Sequence, residues 1–269
     1  MNFAKPIRMN PIDALFASRR AAKRPAFLPF LPAGDPDLAF TEELLPAVAS
    51  NGADLIEIGF PFSDPIADGP IIQASYTRAL NAKLKLPELF AALARTKLAV
   101  PMLGMVSYSL IFKMGLDAFL KAAKAANLSG VVVPDLPVEE AEELSKRCRD
   151  ADFKLILLVA PTTTPQRAEK VVKACSGFVY VVSVVGITGE RTMVFQPARD
   201  LVKRLRNLTD LPLCVGFGIS QPEHVREVGE FADGAIVGSA LVKLLDGAGA
   251  NRAKALADVA AKVKQLSGA

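Results

Sequence analysis

At 269 residues, with 51% hydrophobic and 22% charged side chains, the chain is stocked for a sizeable globular core and not for disorder. Its 32 basic and 28 acidic residues are interspersed to a net charge of +4, which excludes a nucleic-acid tract and leaves a mildly basic solvated surface. The only histidine, His224, removes Ser-His-Asp triads, His-rich metal sites and H-E-x-x-H proteases, so acid–base chemistry falls to carboxylates, Tyr or Lys.

Pro11 to Lys23 reads as an extra helix ahead of the first strand, placed to cover a barrel floor. Eight short apolar, β-branched runs then recur: Ala26–Leu31, Asp54–Gly59, Ala99–Val106, Gly130–Pro134, Lys154–Ala160, Phe178–Val184, Pro212–Gly216 and Gly234–Gly238. Unbroken stretches such as Val131-Val132-Val133 suit strands buried on both faces, as in a parallel sheet. Amphipathic segments separate them. Pro46 should kink or shorten the first of these helices. Leu136 to Asp150 sets Leu144 and Cys148 on one face, and Pro165 to Ala174 opens on Thr164 as N-cap. Gln221 to Phe231 carries His224, expected as a helix-surface or cap residue, and Asn251 to Leu266 closes the chain.

Strand–helix alternation eight times over, without a linker or composition shift, predicts one (β/α)₈ TIM-barrel domain over residues 1–269. Cys148, Cys175 and Cys214 form neither a disulfide framework nor a zinc pattern. The first ten residues lack an apolar signal core, and no apolar run reaches membrane length. A cytoplasmic protein, bound to neither membrane nor nucleic acid, is the expectation.

Candidate chemistry gathers after the second strand. Glu57 shares a strand face with Leu55 and Gly59 and is expected to point into the barrel near its mouth, where burial raises a carboxyl pKa into the working range of a general acid or base. A structural ion pair inside the barrel is the alternative. The next segment, Phe60-Pro61-Phe62-Ser63-Asp64-Pro65-Ile66-Ala67-Asp68-Gly69-Pro70, is too rich in Pro and Gly to start a helix at once. Asp64, before Pro65, reads as a turn residue. Asp68 is either a second turn residue or a carboxylate facing Glu57 across a pocket. Gly186-Ile187-Thr188-Gly189, Gly216 to Ser220, and Gly238-Ser239-Ala240 before a short helix at Ala240–Leu245 come after the last three strands. Barrels commonly seat a phosphate there, so a phosphorylated substrate is expected.

Collinear blocks over nearly the whole chain then resemble one family. These are Phe30–Pro36 (FLPAGDP), Leu55–Pro70 (LIEIGFPFSDPIADGP), Val133–Glu140 (VPDLPVEE), Leu158–Pro165 (LVAPTTTP), Tyr180–Gly189 (YVVSVVGITG), and the Gly216 and Gly238 turns. The chain resembles the α subunits of tryptophan synthase. That resemblance implies retro-aldol cleavage of indole-3-glycerol phosphate to indole and glyceraldehyde 3-phosphate, without metal or organic cofactor. It assigns Glu57 as general acid/base and Asp68 as the carboxylate that bonds the indole N–H. It makes Thr188 the contact of a closing loop with that aspartate, Phe30 and Tyr180 pocket walls, and Gly189, Phe217, Gly218, Gly238 and Ser239 the phosphate cradle.

The resemblance also implies a β-subunit partner in an α₂β₂ tetramer. Ser107-Tyr108-Ser109-Leu110 departs from the Tyr-Tyr-Asn-Pro segment usual in the family where the β subunit docks, and Val184-Val185 departs from a smaller or more polar pair. A stand-alone indole-releasing lyase and a weakly active regulatory subunit are therefore the rival readings. An isomerase on the same fold is disfavoured by the Asp64–Pro70 block.

Overall fold

Parallel hydrogen-bonded ladders run around the molecule in the computed structural model, which describes residues 9–65, 68–183 and 195–269. The strands are β1 (Ala26–Pro32), β2 (Ile56–Gly59), β3 (Met102–Met105), β4 (Leu128–Val132), β5 (Lys154–Ile156), β6 (Leu158–Val159), β7 (Val179–Val182), β8 (Leu213–Gly216) and β9 (Gly234–Val237). Their order is β5-β4-β3-β2-β1-β9-β8-β7-β6, all parallel. The two ends of that series are consecutive pieces of one run, so the sheet closes into a TIM barrel.

The fifth expected strand, Lys154–Ala160, is thus split at Leu157. The Leu157 N–H leaves the ladder and donates to Cys175 Sγ at 3.3 Å, while its carbonyl accepts from Tyr180 N at 3.2 Å. All three cysteines are buried free thiols. Burial pushes Cys148 and Cys175 up to about 12, which removes them from thiolate chemistry.

The helices are α1 (Pro11–Ala21), α2 (Leu38–Ser50), α3 (Pro70–Asn81), α4 (Leu86–Arg95), α5 (Tyr108–Met114), α6 (Leu116–Ala125), α7 (Glu142–Asp150), α8 (Pro165–Ala174), α9 (Gln196–Leu205), α10 (Pro222–Gly229), α11 (Ser239–Val242) and α12 (Arg252–Ser267). Two differ from expectation. Pro46 does not shorten α2, because Leu44, Leu45 and Val48 bury their side chains and outweigh one missing N–H. The segment from Leu136 does not enter a helix directly: Pro137 is extended, Val138–Glu140 form a 3₁₀ turn, and α7 begins at Glu142. The short helix after the last strand is present as α11, prolonged by a 3₁₀ turn over Lys243–Leu245.

Two apolar layers hold this arrangement. The larger lies between strands and helices and includes Ile56 and Ile58. The other fills the barrel with Leu28, Leu55, Leu103, Val132, Ile156, Phe178 and Ile236, and it takes in Ile12 and Phe16 of α1. α1 is tied down as a floor. Asn10 caps it by accepting from Ile12 N, and donates from Nδ2 to the carbonyls of Ser129 and Asp152 at 3.1 and 2.9 Å. Arg19 pairs with Asp54 just before β2. No helix among the described residues is long and apolar enough to cross a membrane.

Candidate active site

Alternation along β2 decides where Glu57 goes. Ile56 and Ile58 face the helices, so Glu57 turns inward with Leu55. It stands level with Phe30 of β1 and Leu103 of β3, at 1% exposure. Neither carboxyl oxygen has a hydrogen-bond partner among the described residues. That is costly for a carboxylate and tolerable for a carboxylic acid. Burial first, and the charge of Asp68 second, push Glu57 up to about 8.

Asp68 lies on the loop between β2 and α3, partly exposed. Its backbone is fixed: the N–H donates to Pro65 O at 3.1 Å, and the carbonyl accepts from Gln73 Nε2 at 2.8 Å. The carboxylate itself makes no hydrogen bond among the described residues, and burial raises it to about 6. The two acids therefore stand in opposite states at neutral pH, Glu57 mostly protonated and Asp68 mostly ionised. Pairs separated in this way supply one proton donor and one fixed anion. Asp64, by contrast, is exposed and accepts from Ser63 Oγ at 2.6 Å, as a turn residue would.

The walls are aromatic. Phe30 and Tyr180 are buried at 3% and 6% exposure, and Tyr180 sits on β7 opposite Cys214 of β8. Glycine makes room for both rings. A Cβ at Gly59 would overlap the Tyr76 hydroxyl and come within 2.5 Å of the Phe30 ring, and one at Gly216 would lie 2.6 Å from the Tyr180 ring. Phe217 comes next at φ +77° and Gly218 at φ +73°, so the chain turns sharply off β8 and sets the Phe217 ring edge-on to Tyr180 at 6.1 Å.

Ser183 fixes that turn, its hydroxyl donating to Gly216 O at 2.9 Å and Phe217 O at 2.6 Å. Gly238 and Ser239 open α11 on the adjacent strand, where Gly216 is level with Ile236. Gly218, Gly238 and Ser239 thus gather at the same end of the barrel as Glu57. Thr188 and Gly189, together with Val184 and Val185, lie outside the described residues.

Two polar groups at this mouth escaped sequence reasoning besides Ser183. Tyr76, on α3, is 3% exposed and packs with Phe30, Ile72, Val242 and Met105. Asp135, after β4, accepts from Ser107 Oγ at 2.6 Å and Tyr108 N at 2.8 Å, which draws the atypical strand-three loop inward. A narrow cavity lined by Phe60, Asp68, Tyr76, Met105, Ser107 and Asp135 joins them. A wider cavity, lined by Met9, Thr96, Lys97 and Lys124, opens at the opposite end of the strands and contains neither catalytic candidate. His224 is a cap: its Nδ1 accepts from Ser220 N at 3.3 Å. No group of three or more potential metal ligands occurs among the described residues.

Comparison with known proteins agrees with this geometry. The family model described as tryptophan synthase alpha chain matches residues 16–269. The tryptophan synthase alpha chain of Rhodopirellula baltica is 49% identical over 240 residues, covering 87% of this chain and 86% of the relative. The structure of Mycobacterium tuberculosis tryptophan synthase superposes with TM-score 0.87 at 32% identity, covering 97% of this chain and 98% of its own. The tryptophan synthase complex of Pyrococcus furiosus gives TM-score 0.81 at 36% identity, over 91% and 98%. With an inward acid at the end of β2, a second carboxylate on the loop behind it, and this likeness over the whole barrel, the chain belongs to the tryptophan synthase alpha chain family, lyases of tryptophan biosynthesis.

Proposed function

We propose that this chain cleaves indole-3-glycerol phosphate by a retro-aldol step in which Glu57 moves the protons and Asp68 holds the indole nitrogen. The observation that carries the proposal is a buried acid without a hydrogen-bond partner among the described residues, beside a second, more easily ionised carboxylate. Protonated Glu57 delivers its proton to indole C3. The ring then carries positive charge towards nitrogen, where Asp68 accepts the N–H hydrogen bond and stabilises it. The C3–C3′ bond breaks, its electrons restore the aromatic ring, and the glycerol hydroxyl becomes an aldehyde as its proton passes to the Glu57 carboxylate. Glu57 ends protonated, as it began.

Phe30 and Tyr180 form the indole walls. Gly218, Gly238 and Ser239, with Phe217 next to Gly218 in the chain, form the cradle for the phosphate, whose dianion suits backbone N–H groups at the start of α11, and the family resemblance adds Gly189 to it. The family resemblance assigns Thr188 as the loop residue that contacts Asp68. The partner is a tryptophan synthase β subunit, as the complex of the Pyrococcus furiosus relative suggests, in an α₂β₂ tetramer; the working compartment is the cytoplasm.

A positioned acid or base contributes about 10²–10⁴ in rate. Glu57→Gln and Asp68→Asn should therefore each lose most indole release while inorganic phosphate still binds the cradle. Indole release from indole-3-glycerol phosphate, measured with and without a β subunit, checks this. Wild-type turnover in either variant would overturn the assignment. High turnover by the chain alone, unchanged by the β subunit, would make it a stand-alone lyase, and turnover only with the partner an obligate subunit.

A further inference from the structure

Tyr76 is a polar group at the mouth that the proposed chemistry leaves without a role. Its ring is clamped between apolar side chains from three other elements, Phe30 of β1, Met105 of β3 and Val242 of α11, with Ile72 one turn back on its own helix. None of these is titratable. The clamp carries the hydroxyl over Gly59, so close that a methyl group there would overlap it. Gly59 is two residues beyond Glu57 on the same strand and therefore on the same face. Tyr76 and Asp68 line one cavity. The hydroxyl makes no hydrogen bond among the described residues, and the Asp68 carboxylate makes none either. The ionisable groups whose charge reaches the hydroxyl are Asp68 and then Glu57.

Two groups of complementary type, neither hydrogen-bonded among the described residues, thus share one small space. Burial and both carboxylates hold the phenol well above its ordinary pKa, so it is a donor throughout the working range. Asp68 must be ionised to accept the indole N–H, yet burial works against that charge. A hydrogen bond to the ionised form opposes burial. Catalytic hydrogen bonds commonly tighten only around the substrate, and Asp68, partly exposed on a loop, is able to turn.

We infer that Tyr76 is a positioning residue for Asp68: its hydroxyl, seated over Gly59, donates to the ionised carboxylate and aims it at the substrate nitrogen. This rests on the role proposed above for Asp68.

The test is a double-mutant cycle of Tyr76→Phe and Asp68→Asn, read as steady-state indole release over a pH series. Phenylalanine keeps the packed ring and deletes a hydroxyl that has no partner among the described residues to lose, so the fold is retained. In the wild-type background Tyr76→Phe lowers kcat by about tenfold, equivalent to about 1.4 kcal/mol, with KM little changed. It also moves the acid limb of the profile to higher pH, because removing a donor to the ionised form raises that carboxylate's pKa. In the Asp68→Asn background, assayed at high enzyme concentration, it costs nothing further. An unmoved acid limb, or an equal loss in both backgrounds, would show Tyr76 to be a wall and overturn the inference. Wild-type turnover by Asp68→Asn alone would instead remove the role of Asp68 itself.

Discussion

Glu57 and Asp68 carry the same functional group and differ by one methylene, and their surroundings separate them. Glu57 is enclosed by Phe30, Leu103 and the barrel layer beneath, whereas Asp68 keeps an edge towards solvent. The cost of enclosure can be measured without substrate. An unfolded Glu titrates near 4.5, the folded one at about 8. Between those values the native state holds the proton more tightly than the unfolded chain. Stability is therefore full below about pH 4.5 and is lost as pH rises towards 8. Glu57→Gln removes that dependence and should gain roughly 2–4 kcal/mol over wild type at pH 8.5 relative to pH 5.5. Urea unfolding at the two pH values checks it; parallel curves for the two proteins would mean that Glu57 is not held as the neutral acid.

At the scale of elements, the mouth is shaped where strands end in glycine. Gly216 terminates β8 and gives its Cβ space to Tyr180, and Ser183 grips the carbonyls of Gly216 and Phe217. Gly216→Ala should displace the Tyr180 ring, cost about 1–3 kcal/mol of stability as overpacking does, and lower indole release more than phosphate binding. Thermal melting alongside both assays separates these effects.

The inward turn of Glu57 was legible because Ile56 and Ile58 bracket it and the strand period is two. The break at Leu157 was not, since Leu155 to Val159 is uniformly apolar and a thiol from α8's end makes the interruption. Nor was Tyr76: in sequence it is one aromatic residue on an ordinary amphipathic helix, and only Gly59 and the β1–β3 packing reveal where its hydroxyl lies. The loop at Ser107 likewise read only as a departure, because its partner Asp135 belongs to the next strand's end.

For the whole molecule, the barrel's upper rim is tied by Asp35, after β1, which at 1% exposure accepts from Ser75 Oγ and from Arg78 Nε and Nη2 of α3, the latter two at 2.9 and 2.6 Å. This junction holds the helix that carries Tyr76 against the first strand. Asp35→Ala leaves the Ser75 hydroxyl without its acceptor and the Arg78 guanidinium with Asp246 at 3.6 Å, and should destabilise the fold by about 2–4 kcal/mol, less than a fully buried pair because Arg78 is partly exposed. Denaturant unfolding measures it, with an expected loss of kcat as α3 loosens.

The floor helix α1 has one more effect. Ile12 and Phe16 plug the barrel from below, and Leu28, Leu55, Val132, Ile156, Phe178 and Ile236 fill it up to the layer of Glu57. Among the described residues the barrel is therefore closed beneath Glu57, and the pocket opens towards the mouth. On the proposed chemistry, the products have to leave on the mouth side, and a protein that captured the indole without losing it to solvent would have to sit across that mouth.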